Sequence, residues 1–98
     1  MAGKVNIIQK GPSGKVQYTE GWLKKNICEF YFEFGGGNTV ATIWYTPADQ
    51  WDAKYPWAAG RHQEIVQFVA EHLRRTQAPK SVIEWQKDRF DLVTPSAG

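Results

Sequence analysis

The sequence is poor in the residues that most often announce chemistry. Cys28 is the only cysteine among 98 residues, and His62 and His72 are the only histidines. One thiol excludes an intramolecular disulfide and any zinc site built on cysteines. No apolar run approaches the about 20 residues that a membrane-spanning helix requires. The start, Met1-Ala2-Gly3-Lys4, has no charged segment leading into an apolar stretch of roughly 7–15 residues, and glycine at position 3 misses the myristoylation pattern. These absences lead us to expect a cytoplasmic chain with a reduced thiol and no membrane partner. Internal repeats, low-complexity tracts and linkers are absent too, which predicts a single domain over residues 1–98.

Charge of one sign is also scarce. The formal balance is +2, unevenly spread. Residues 1–28 carry five lysines (Lys4, Lys10, Lys15, Lys24, Lys25) against Glu20, a sum of +4, whereas residues 29–98 carry seven basic and nine acidic side chains, a sum of −2. A pI near 8.8 falls short of the value of about 9 that marks a dedicated nucleic-acid domain.

What the sequence does have is alternation. From Ile27 to Phe34, Cys28, Phe30, Phe32 and Phe34 share one parity and Glu29, Tyr31 and Glu33 the other, the signature of a strand with one dry and one wet face. Gly35-Gly36-Gly37-Asn38 predicts a hairpin turn into a second strand, Thr39 to Tyr45. An even loop puts Ala41, Ile43 and Tyr45 on the phenylalanine face, with Ala41 opposite Phe32, and an odd loop exchanges the faces; we favour the even one. Shorter strands are expected at Lys4–Gln9 and Val16–Thr19, with a less regular stretch through Gly21-Trp22, and at Val82–Gln86 and Arg89–Val93 around a Lys87-Asp88 turn.

Thr46-Pro47-Ala48-Asp49 reads as a short helix start with Thr46 as the cap. The main helix is expected from about Ala59 to Thr76, with Ile65, Phe68, Val69, His72, Leu73 and Thr76 in its apolar stripe and a Glu71–Arg75 ion pair on its rim. Strands, helix, strands is an α+β order. The economical arrangement is an antiparallel sheet of about four to six short strands with one main amphipathic helix packed on one face.

Few motifs point to catalysis. Gly11-Pro12-Ser13-Gly14-Lys15 lacks the first glycine of a phosphate-binding loop, since Gln9 stands there, and no helix follows it; a turn is the better reading. Glu29 and Glu33 lie roughly 13 Å apart along a strand, beyond the about 5–9.5 Å of an acid/base carboxylate pair. His72 belongs with the core. His62, close to the aromatic segment, is the better functional candidate, and a small enzyme would pair it with Asp49 or Asp52, though no spacing rule supports a metal there. No cofactor is implied.

The segment from Trp44 to Trp57 contains five aromatics in fourteen residues. Such crowding in a loop points to recognition, because large aromatics dominate binding hot spots. The reading that follows is a non-enzymatic interaction or regulatory protein that binds a protein partner through Trp51, Tyr55 and Trp57, at least two of them partly exposed, with Arg61 and His62 adding polar contacts. The alternative is a single-stranded nucleic-acid-binding module that stacks bases on Tyr31, Trp44 or Tyr18 beside the basic N-terminal segment.

Overall fold

In the computed structural model, which describes residues 3–21 and 26–95, the alternating segment becomes the third strand of a six-stranded sheet. The elements run β1 (Lys4–Lys10), β2 (Ser13–Thr19), β3 (Ile27–Phe34), β4 (Thr39–Trp44), α1 (Ala48–Lys54), a 3-10 turn (Pro56–Ala58), α2 (His62–Gln77), β5 (Val82–Trp85) and β6 (Arg89–Val93). Spatial order is β1-β2-β3-β4-β6-β5, antiparallel throughout. Four strands meander; the chain then crosses one face as helix, lays β5 at the far edge and returns as β6 between β5 and β4. Trp22, Lys24 and Lys25 lie outside the described residues.

The predicted parity holds: Phe30 and Phe32 face the helix with Val16, Ile43, Phe90 and Leu92, and Ile65, Val69 and Leu73 of α2 close the core over them. The hairpin is tighter than a four-residue loop: Gly35 N–H donates to the Val40 carbonyl and Thr39 N–H to the Gly36 carbonyl, which leaves Gly37-Asn38 at the tip. Phe34 pairs with Ala41 and Phe32 with Ile43, so Ala41 is not opposite Phe32. The shift is two residues, which preserves the faces, and Gly37 takes the positive φ of 61° that the loop needs. Phe34 lies on the core face, in a groove it shares with Leu73 and Gln77 near the end of α2, and it is 49% exposed.

Gly14 is required for packing. A Cβ there would lie 2.1 Å from the carbonyl oxygen of Ile8 and 2.9 Å from the Phe32 ring, which covers the glycine from the neighbouring strand. The expected turn at residues 11–14 is accordingly shorter: Gly11-Pro12 makes it, and Ser13 and Gly14 already belong to β2.

Three helix details differ from expectation. Pro47, not Thr46, sits at the N-cap of α1, with no side-chain cap bond; Thr46 is buried and its carbonyl is used elsewhere. The buried stripe of α2 is Ile65, Val66, Val69, Ala70 and Leu73, so His72 is half-buried at its edge, stacked on Phe68, and Thr76 is exposed with its hydroxyl donating to the His72 carbonyl. Glu71 pairs with Arg74, one turn position earlier than Arg75. No helix among the described residues is long and apolar enough to cross a membrane.

Candidate functional site

The aromatic segment folds inward. Trp51 on α1 and Tyr55, the cap at its C-terminal end four residues on, pack together and are 1% and 7% exposed. Trp51 donates from Nε1 to the Ala58 carbonyl at 3.0 Å and packs against the rings of Tyr55 and His62, 4.8 and 5.1 Å between centroids. The Tyr55 hydroxyl serves the sheet. β4 pairs with β3 only from Tyr31 onward, and at Glu29 the hydroxyl oxygen accepts from the backbone N–H at 3.1 Å and donates to the carbonyl at 3.4 Å. A side chain thus substitutes for a missing strand. Trp57 is half-buried against the same core, and its Nε1 has no acceptor among the described residues.

The polar candidates are also engaged. Arg61 forks Glu20, with Nη1 and Nη2 at 3.0 and 2.5 Å, and also bonds Glu64. Hydrogen bonds from Arg61 hold the Glu20 carboxyl below its usual range, and the two carboxylates push the guanidinium pKa up. Tyr18 donates to the same Glu20 carboxylate; burial, then that bond, raises its phenol pKa. His62 Nε2 lies 3.1 Å from the Thr46 carbonyl oxygen, so this nitrogen carries the proton and donates. Its ring meets Tyr45 and Trp51 edge-on.

The five predicted binding residues, Trp51, Tyr55, Trp57, Arg61 and His62, are therefore brought together, but as a wedge between α2 and the sheet. The expectation that at least two of the three loop aromatics stay partly exposed does not hold, since only Trp57 does: Pro56 and the positive-φ Gly60 fold the segment back on itself, and burial of Trp51 and Tyr55 closes that end of the core. Neither Asp49 nor Asp52, the acids suggested for His62, hydrogen-bonds to it among the described residues. Asp52 accepts from the Gly60 N–H at 2.8 Å, and among the described residues no group of three or more His, Cys, Asp or Glu could hold a metal ion. Cys28 is fully buried, and desolvation pushes its thiol up to about 12.

Of the exposed aromatics, Phe34 and Trp85 border the helix face, Trp85 packed on Phe90, whereas Tyr31, the most exposed, lies on the opposite face beside Trp44. Successive pairings align Ile8, Lys15, Tyr31, Trp44 and Arg89 in one row across five strands. Tyr31 is 58% exposed and Trp44 half-buried. Lys15 Nζ stands 5.6 Å from the Tyr31 ring centroid and 4.0 Å from Glu29 Oε2. A parallel row runs Lys10, Ser13, Glu33, Thr42, Asp91 and Glu84, tied at its centre by the Thr42 hydroxyl donating to Asp91 at 2.5 Å. Tyr31 and Trp44 border two shallow hollows, of about 670 Å³ towards β1 and about 330 Å³ towards α1. Tyr18, grouped with them on sequence grounds, is on the other face, buried edge-on against Phe68, and no base can stack on it.

Of the aromatics that crowd residues 44–57, the fold buries Trp51 and Tyr55 and leaves Trp44 half-buried on the open face. The signal for Tyr31 and Trp44 was parity: Tyr31 opposes the phenylalanine face, and an even hairpin register puts Trp44 beside it. Compared with protein-family models, curated proteins and solved structures, the chain matches none.

Proposed function

We propose that this chain is a non-enzymatic interaction protein that binds a protein partner through the open face of its sheet, with Tyr31 and Trp44 as anchors and Lys15, Arg89 and Glu33 as flanking polar contacts. The observation that carries the reading is the adjacency of a 58% exposed tyrosine and a half-buried tryptophan on a face that no element of the described chain covers. Tyrosine and tryptophan supply large contact area with few rotatable bonds, and interfaces are built on them. The charges around them favour polypeptide. Lys4, Lys10, Lys15 and Arg89 share the face with Glu29, Glu33, Glu84 and Asp91, four of each sign, and such a mosaic suits a complementary protein surface better than a run of phosphates. We place the protein in the cytoplasm, where buried Cys28 stays reduced.

A photoreactive phenylalanine analogue at position 31, introduced in the cells from which the chain comes, tests the reading against the same analogue at exposed Glu71 on α2. The expected result is a nuclease-resistant protein adduct from position 31 and none from position 71. No adduct at position 31, or one destroyed by nuclease, overturns it. The nucleic-acid alternative draws on the same Tyr31–Trp44 pair; binding of an oligonucleotide that weakens steeply with added salt would favour it.

A further inference from the structure

The sheet has two edges of unequal length. β5 offers four residues, whereas β1 offers seven, all paired with β2 on one side and with no described residue on the other. In a hairpin closed by a two-residue loop, the closing pair exchanges both backbone bonds. Lys10 and Ser13 close this one. The N–H and C=O groups of Lys4, Asn6, Ile8 and Lys10 therefore turn towards β2, and those of Val5, Ile7 and Gln9 turn outward. Two apolar side chains flank the free edge: Ile7, 39% exposed on the helix face, and Ile8, 43% exposed on the open face. Beside Ile7 an apolar groove of about 70 Å³ runs past Phe32 and Phe34 to Leu73; beside Ile8 begins the hollow that ends at Tyr31 and Trp44.

Exposed edges invite pairing with copies of the same chain, and lysine is a common defence. Here the defence is selective. If β1 met a second β1 antiparallel with all seven residues in register, Ile7 would oppose Ile7, and Lys4 of each chain would oppose Lys10 of the other. Like charges directly opposite each other destabilise the pair. Neither lysine forms an ion pair with any described residue. The same two charges would attract a strand that carries carboxylates at those positions.

We infer that the β1 edge takes up an extended acidic segment of the partner as a seventh strand, apolar in the middle beside Ile7 and Ile8, with Asp or Glu opposite Lys4 and Lys10. Backbone hydrogen bonds to Val5, Ile7 and Gln9 give the affinity, and the charges, about 20 Å apart along the strand, give the choice of partner. This rests on the reading that the chain binds protein, and it names the kind of segment bound.

Random displayed dodecapeptides panned against the full-length chain provide the probe. The expected winners alternate apolar and polar residues and carry acidic residues six positions apart. Binding of a winning peptide should fall at least tenfold against the double variant Lys4→Glu/Lys10→Glu, and as far when alternate amides of the peptide are N-methylated, a change that leaves the protein untouched. No enrichment, equal binding to the charge-reversed chain, indifference to N-methylation at both sets of alternate amides, or a wild-type chain that sediments as a dimer would overturn the inference. The outcome is separable from the photo-adduct at position 31: peptide capture without the adduct leaves the edge and removes the face, and the adduct without capture does the reverse.

Discussion

Trp51 and Tyr31 have comparable bulk and opposite situations. The tryptophan is 1% exposed in a segment dense with prolines and aromatics, and the tyrosine is 58% exposed in a regular strand. Regularity explains the difference. In a strand, every second side chain is committed to the far face whatever its polarity, so Tyr31 must face water because Phe30 and Phe32 face the helix. A short helix followed by a 3-10 turn has no such obligation. It can rotate both Trp51 and Tyr55 inward, and the end of the core beyond α2's first turn gains two large rings by it. Strand parity in this chain commits Tyr31 to the open face, whereas the short helix and turn are free to bring Trp51 and Tyr55 inward.

The largest effect that would break this contrast is on stability. Trp51→Ala removes a fully buried indole and its bond to Ala58, and should cost about 3–5 kcal/mol in denaturant unfolding. A loss below about 1 kcal/mol would mean that the segment is not part of the core. The comparison sharpens with phenylalanine. Trp51→Phe gives up a hydrogen bond, whereas Trp57→Phe gives up an Nε1 donor that has no acceptor among the described residues, so Trp51→Phe should be the more destabilising of the two.

Next comes a change of one oxygen. Tyr55→Phe keeps the ring and deletes the hydroxyl that serves both backbone groups of Glu29. Leaving them unpaired should cost about 1–3 kcal/mol, and the Glu29 amide should exchange with solvent faster than its neighbours in β3. An unchanged exchange rate would show that the hydroxyl does not stand in for the missing strand.

Much of the fold was legible from periodicity. The face of every residue in β3, the even register of the β3–β4 hairpin and the antiparallel sheet with one long helix all follow from alternation and spacing. The candidate site was legible only in part. Parity placed Tyr31 and Trp44 in the open, but nothing local distinguishes Trp51, which is buried by an element more than ten residues away, His62 on α2. Likewise Arg61 and His62 look available in sequence. Their partners, Glu20 and the Thr46 carbonyl, are 41 and 16 residues distant, and only the folded chain reveals that both are taken. The two-residue shift of the hairpin has the same origin: parity fixes faces, and loop conformation fixes the count.

The smallest expected effect on stability belongs to the residue with the largest expected effect on binding. Tyr31 touches Lys15 and pairs with Trp44, cross-strand contacts worth about 0.2–1 kcal/mol each, and its ring is mostly in water already. Tyr31→Ala should therefore leave the unfolding free energy within about 1 kcal/mol of the parent, far less than Trp51→Ala. Against the partner recovered through position 31, the same substitution should weaken binding by about 2 kcal/mol or more, as loss of a central aromatic anchor does, and Trp51→Ala should leave the affinity of its folded fraction unchanged. Isothermal titration of both variants, with stability measured on the same samples, places each residue on two axes. If Tyr31→Ala moved along stability and Trp51→Ala along affinity, the assignment of display to the sheet and burial to the loop would be inverted, and the binding surface would have to be sought where the aromatics crowd in sequence.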